Sequence, residues 1–223
     1  MLIRDWMTTD VVTASLDASM LKISKMMKEY GIRRVPVLDE NNKVVGIVSD
    51  RDVKDASPSK ATTLDMHELY YLLSEIKARD IMTPDPLTVK ITETVERVAL
   101  TMLKHTISGL PVVDDDGKLA GIITDRDLFK VLVEITGVRH GGVQIAILVE
   151  DLPGAVRPII DMLREHNASL ISMLTAESKN HLNHREVILR IRPMDRNAEN
   201  RVIEAIKGEF NVLYWVRENV HEV

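Results

Sequence analysis

The chain has 223 residues, 45% of them hydrophobic, enough for one large or two ordinary domains. Charged residues make up 28% in mixed sign, and a net charge of −5 argues against a broad nucleic-acid surface, which needs a strongly basic face. The absence of cysteine excludes disulfide frameworks, thiolate metal sites and cysteine nucleophiles together.

The opening Met1-Leu2-Ile3-Arg4-Asp5 lacks the basic and apolar regions of a signal peptide. No apolar run approaches the ~20 residues of a membrane-spanning helix, so no membrane partner and a cytoplasmic location are expected. Two Trp and two Phe leave little surface on which to stack single-stranded nucleic acid, and none is expected as a partner. The eleven Met residues fall mostly at helical spacing and read as core filling.

An internal repeat organises the first half. Arg4-Asp5-Trp6-Met7-Thr8 returns as Arg79-Asp80-Ile81-Met82-Thr83, an offset of 75 residues. Held without a gap over Arg4–Val53 against Arg79–Leu128, that offset gives 17 identities in 50 positions, which marks a duplicated structural unit. In each copy Asp17 or Thr92 is the N-cap candidate for a helix with apolar residues at i, i+3 and i+7: Met20, Ile23 and Met27, then Val95, Val98 and Met102. A short strand with an early Pro follows, Val35–Leu38 and Leu110–Val113. After a polar turn, a second strand, Val44–Val48 and Leu119–Ile123, leads into a helix at Ser49 and Thr124.

Between the copies, Asp55–Ser59 reads as a loop, and Asp65 to Glu68 as a capping box before an apolar helix that ends near Ile76. His105 is the candidate cap for the carbonyls at the end of the second copy's first helix, and the seven His residues show no metal-ligand spacing. The pair Gly141-Gly142 marks the expected break between domains.

Beyond it the pattern runs strand, helix, strand, strand, helix, strand: Val143–Val149, a helix with Ile159, Ile160, Met162 and Leu163 inward, Leu170–Thr175, Glu186–Ile191, a helix capped by Asp195, and Val212–Val216. Asn167 suits a left-handed position after the first helix, and Pro158 implies a distorted first turn. Arg190, Arg192, Arg196 and Arg201 read as solvent-facing strand and helix residues. The fold class is α/β (α+β), with two βαββα-type repeats followed by a ferredoxin-like βαββαβ domain.

The two copies resemble CBS domains, which occur as intramolecular pairs. The resemblance rests on the opening Asp-x-Met-Thr, the strand Pro, and Gly46-Ile47-Val48-Ser49-Asp50-Arg51-Asp52 with its partner Gly121-Ile122-Ile123-Thr124-Asp125-Arg126-Asp127. It implies an adenine nucleotide of the AMP, ADP or ATP class held as a regulatory ligand, with the motif Asp accepting from the ribose hydroxyls; the alternatives are an S-adenosylmethionine or amino-acid sensor and a ligand-free dimeric scaffold. Carried over, one cleft combines Ser49 and Asp52 with Thr88, Val89 and Leu110, and the other Thr124 and Asp127 with Thr13, Ala14 and Val35. Two places before the Pro, where family members often carry a basic residue, the first copy has Arg34, whereas the second has Gly109. The Asp52 cleft is therefore expected to prefer a phosphorylated ligand. Residues alone offer a second reading of Ser49-x-x-Asp52 and Thr124-x-x-Asp127, as local helix caps compatible with the first.

The second domain resembles the ACT domain through Asp151-x-Pro153-Gly154 after its first strand. That resemblance implies pairing across subunits and an amino-acid site at Asp151, Gly154 and Ser169; Ser169 stands where the family often has Asn, which favours a dimerisation module. The expected spans are 1–54 and 79–136 for the CBS repeats, 55–78 for the segment joining them, and 143–217 for the ACT domain. This domain order and size resemble the acetoin-utilisation protein B family. A homodimer acting on a target enzyme, with no catalysis, cofactor or metal of its own, is the expectation.

Overall fold

The structure, a computed structural model, describes residues 1–57, 71 and 73–218. The expected Asp65–Glu68 capping box, and Pro58-Ser59 of the expected loop, lie outside these residues. The chain divides into two units, Met1–Phe129 and Lys130–Val223.

In the first unit the first copy forms β1 (Ala14–Ser15), α1 (Met20–Tyr30), β2 (Arg34–Leu38), β3 (Val44–Ser49) and α2 (Asp50–Asp55). The second forms α3 (Ala78–Ile81), β4 (Thr83–Pro84), β5 (Val89–Lys90), α4 (Val95–His105), β6 (Gly109–Val113), β7 (Leu119–Thr124) and α5 (Asp125–Thr136), the last of which belongs to the second unit from Lys130 on. The apolar periodicity places Met20, Ile23 and Met27 of α1, and Val95, Val98 and Met102 of α4, in the interior.

Both helices start two residues later than the expected caps. Ser19 Oγ accepts from the Lys22 N–H at 3.3 Å and Thr94 Oγ1 from the Arg97 N–H at 3.3 Å. The reason is tertiary: the Met20 N–H donates to the Ile76 carbonyl at 2.8 Å and the Val95 N–H to the Met1 carbonyl at 2.9 Å. The leading segment of each copy thereby satisfies an otherwise orphaned amide of the other copy and sets where its helix begins. Asp17 instead forms an ion pair with Arg79 at 2.8 Å. The cap expected of His105 is made by the backbone of Thr106, at φ 54°, whose N–H donates to the Leu103 and Met102 carbonyls.

The exchange of leading segments continues in the sheets. β4 of the second copy joins the first copy's sheet, in the order β1-β2-β3-β4, with Ile47 opposite Thr83. Reciprocally, Thr8 bridges Ile122 beside the three-stranded sheet β5-β6-β7. Two glycines make the approach possible: a Cβ on Gly46 would run into the Met82 side chain, and one on Gly121 would lie 2.7 Å from Met7 Sδ and 2.8 Å from the Thr8 carbonyl oxygen. Ala78, with Ile81 and Met82 against it, completes the first copy's core of Ala14, Ala18, Ile23, Met27, Val35, Val37 and Val48. Lys43 bridges Lys118, its own equivalent under the 75-residue offset. That self-pairing, together with the reciprocal swaps, defines an approximate two-fold axis between the copies.

The second unit forms β8 (Gly142–Glu150), α6 (Arg157–Glu165), β9 (Leu170–Glu177), β10 (His184–Ile191), α7 (Arg196–Glu209) and β11 (Asn211–Glu218), with sheet order β11-β8-β10-β9, all antiparallel. This is the expected βαββαβ arrangement. Val143, Ile145, Ile147, Val149, Val187, Leu189 and Ile191 form a core with Ile159, Met162 and Leu163 of α6 and Val202, Ile203 and Ile206 of α7. Asn167 takes the left-handed conformation, φ 52°, and Asp195 caps α7, accepting from Ala198 at 2.9 Å.

Three expectations are corrected in this unit. Ile160 is 48% exposed, one position off the buried stripe. Pro158 sits at the second residue of α6, where the backbone has no intrahelical acceptor to lose, so the first turn needs no distortion. Arg190 is not solvent-facing but 2% exposed: its guanidinium donates to the Thr136 carbonyl at 3.0 Å, the Gly141 carbonyl at 3.4 Å and Gln144 Oε1 at 2.8 Å. Ser172 Oγ also donates to the Thr136 carbonyl, at 2.8 Å. These bonds hold the end of α5 and the Gly141-Gly142 turn within the second unit, so its first residue precedes that Gly pair.

Candidate functional site

In both copies a tight strand-to-helix junction positions the motif carboxylate. Ser49 ends β3, and its N–H and Oγ both donate to Asp52 Oδ2 at 2.7 Å, while the Asp52 N–H returns a bond to Ser49 Oγ at 3.3 Å. In the second copy the Thr124 N–H and Oγ1 donate to Asp127 Oδ2 at 3.0 and 2.7 Å. The capping reading is therefore realised in the geometry. It also fixes the carboxylate rotamer, so Asp52 presents its second oxygen in one orientation. Among the described residues no hydrogen bond reaches Asp52 Oδ1, which keeps its acceptor capacity for an incoming hydroxyl. Asp52 is half-buried, whereas Asp127 is only 4% exposed.

Asp50, the first residue of α2, has its carboxyl held below the usual aspartate range. The main cause is a hydrogen bond from Lys54 Nζ at 3.2 Å; desolvation opposes it, and the charges of Lys54, Arg33 and Arg34 assist.

Arg34 opens β2 directly opposite Ser49 in the register. Its side chain does not stay in its own copy: Nη2 donates to Ser108 Oγ, and the stem lies along Gly109, where a Cβ would be 3.0 Å from Arg34 Cδ and 3.2 Å from Nε. Gly109 in turn sits opposite Thr124. The guanidinium thus runs from beside one motif toward the other. Sequence reading took Gly109 as a missing cation; the structure shows it as the seat of Arg34. Ser108 was passed over, although the 75-residue offset, which lays Arg34 on Gly109, was the signal that singles out this crossing.

The other sequence-predicted residues are placed less simply. Ala14 and Val35 belong to the core of the first copy, and Val89 and Leu110 are buried at 8% and 1% exposure. Their side chains point inward, so what they offer a ligand is main chain. Thr13 is half-buried and Thr88 exposed, at the ends of the segments leading into β1 and β5. In the second unit Asp151 pairs with Arg185 at 3.2 Å, and Gly154, φ 87°, has nothing within 4 Å of a Cβ position. Ser169 lies beyond the other end of the nine-residue α6, ~13 Å of helix away, so one chain does not bring it to Gly154. Among the described residues no group of three or more His, Asp or Glu side chains is placed to hold a metal ion, and no helix is long and apolar enough to cross a membrane.

The sequence pattern of the CBS domain matches residues 3–59 and 78–134. The chain belongs to the CBS-domain family. Its CBS pair is 31% identical to CBSX2 solved in complex with AMP, the match covering 60% of this chain and 97% of that one with a TM-score of 0.50. It is 30% identical to a structure from Vibrio cholerae assigned to acetoin utilization (AcuB), over 62% of this chain and 95% of that one with a TM-score of 0.52. Among curated relatives, the L-aspartate semialdehyde sulfurtransferase of Methanocaldococcus jannaschii is 30% identical over 130 residues, 58% of this chain but only 23% of the enzyme. In that relative the CBS match is a minor part of a much longer protein.

Proposed function

We propose that this chain is a non-catalytic regulatory sensor that binds an adenine nucleotide of the AMP, ADP or ATP class in the clefts of its CBS pair. The observation that carries the reading is the Ser49–Asp52 junction, where capping locks one carboxylate oxygen and leaves Oδ1 of a half-buried aspartate as a fixed acceptor for ribose. The likeness to CBSX2 in complex with AMP supports it. In this reading Ser49, Asp52 and Arg34 work with the main chain at Thr88, Val89 and Leu110, and Thr124 and Asp127 with Thr13, Ala14 and Val35. A hydrogen bond to a charged group contributes ~1.5–3 kcal/mol, so Asp52→Ala should weaken AMP binding roughly 10- to 100-fold, with a smaller effect for Asp127→Ala. Isothermal titration of both variants checks this, and unchanged affinity in both would reduce the two motifs to helix caps.

One observation favours a second reading. Arg34 already donates to Ser108, so an uncharged or cationic adenosine derivative, S-adenosylmethionine among them, would leave that bond intact. Titration with AMP and with S-adenosylmethionine separates the two. For the second unit we propose an ACT-type dimerisation module, spanning 143–217, on its βαββαβ order and the Asp151-x-Pro153-Gly154 loop. The working species is then a two-fold homodimer acting on a target enzyme. The likeness to the Vibrio cholerae protein supports a place in acetoin or central carbon metabolism.

A further inference from the structure

The position of Arg34 goes further than its charge. Arg34 and Gly109 are equivalents under the 75-residue offset, and they touch: Cδ, Nε and Cζ of Arg34 lie 3.0, 3.2 and 3.4 Å from a Cβ position on Gly109. Residues that meet their own equivalents lie on the two-fold axis relating the copies, as Lys43 and Lys118 also do. A group on that axis is equally related to both clefts. The backbone agrees, because Arg34 is opposite Ser49 while Gly109, under its stem, is opposite Thr124. A Cβ at Gly109 would lie 3.0 Å from Arg34 Cδ, so a side chain there would have to displace the Arg34 stem from the axis.

Resting on the nucleotide reading above, we infer that Arg34 is a single phosphate-binding cation shared by the two clefts, so that the chain takes one phosphorylated adenosine ligand at a time. The guanidinium is parked on Ser108 Oγ and must give up that bond to receive a phosphate. Whichever cleft recruits it leaves the other without Arg34, and that second cleft is then left to adenosine derivatives that carry no phosphate. Asp52, half-buried with Oδ1 open, makes its cleft the first to recruit the cation, and the asymmetry between clefts follows from that order of filling.

The test is isothermal titration of the full chain with AMP and with adenosine, for the wild type, Arg34→Gly, Ser108→Ala and the exchange Arg34→Gly/Gly109→Arg. Expected are one AMP per chain in the wild type, a loss of about tenfold or more for AMP with adenosine unchanged in Arg34→Gly, and recovery to within about threefold in the exchange, whose guanidinium crosses the axis in the opposite direction. Ser108→Ala, which needs no refitting of the axis, should tighten AMP severalfold and leave adenosine alone. Two equivalent AMP sites per chain, or an exchange variant that folds like the wild type yet stays as weak as Arg34→Gly, would overturn the shared cation. So would AMP affinity that falls or stays level in Ser108→Ala. If adenosine binds and no Arg34 variant matters, only this inference falls; if neither ligand binds the wild type, the nucleotide reading falls with it.

Discussion

Under the 75-residue offset α1 and α4 bury the same three positions, yet the outward residues Lys25 and Lys28 of α1 become Leu100 and Leu103 on α4, 66% and 79% exposed. The following helices differ likewise: Lys54 on α2 corresponds to Phe129 on α5, 64% exposed. Interior positions answer to the same packing in both copies, so a single methylene is felt there, while outward positions answer only to what each face meets. Duplication makes this visible without a second protein, since each copy is the control for the other. Three further contrasts between the copies can be broken or sharpened by mutation.

The largest effect is expected at the glycines under the exchanged segments. In Gly121→Ala the new methyl meets the Thr8 carbonyl, which is backbone, and unfolding in urea should show a loss of about 2 kcal/mol. Gly46→Ala meets only the side chain of Met82, which is flexible, and the loss should be nearer ~1 kcal/mol. Equal losses would mean that the two crossings are equally rigid.

A smaller effect is expected at the helix ends. Gly31 and Thr106 are equivalents, and both are left-handed, φ 63° and 54°. That conformation costs an L-residue ~1–2 kcal/mol and a glycine almost nothing. Gly31→Thr should therefore lower stability by about 1 kcal/mol or more, and Thr106→Gly should raise it by up to ~1 kcal/mol, both read from thermal melts. A destabilised Thr106→Gly would show that the threonine side chain contributes more than its backbone strain costs.

The smallest concerns Asp50, paired with Lys54, against Asp125, which has Phe129 four residues on. Because folding lowers the Asp50 pKa, its contribution is present above the ordinary aspartate range and disappears as pH falls through the lowered folded value. The pair is largely exposed, so Asp50→Asn should cost no more than ~0.5 kcal/mol at neutral pH and nothing in strong acid. A pH-independent cost would point to a role other than this ion pair.

The repeat, its strands and the helix starts at Ser49 and Thr124 were legible in the sequence because each is local: a gapless offset, short apolar runs, and a hydroxyl three residues before a carboxylate. What escaped is what depends on residues far apart in the chain. Asp17 looks like the cap until the amide of Met20 is found on Ile76, 56 residues later. Arg190 reads as a solvent-facing strand residue because alternation cannot see that Thr136 and Gly141 return to it with their carbonyls. At the site, the motif aspartates were recognisable by type and spacing, but Gly109 looked like an absence. Its meaning appears only when the offset becomes an axis and Arg34 is seen to cross it.

The exchange of leading segments also bears on the order in which the protein is made. A chain leaving the ribosome presents α1, β2 and β3 while Ala78, Ile81 and Met82, which close the core around them, are still being translated. At ~5–20 residues per second the first copy waits more than a second with Ala18 and Val48 incompletely covered. Met1–Thr8, made first, find their sheet and helix partners only once residues 93–95 and 122 have emerged. This leading segment is thus made before the rest of the pair and is among the last parts of it to be placed.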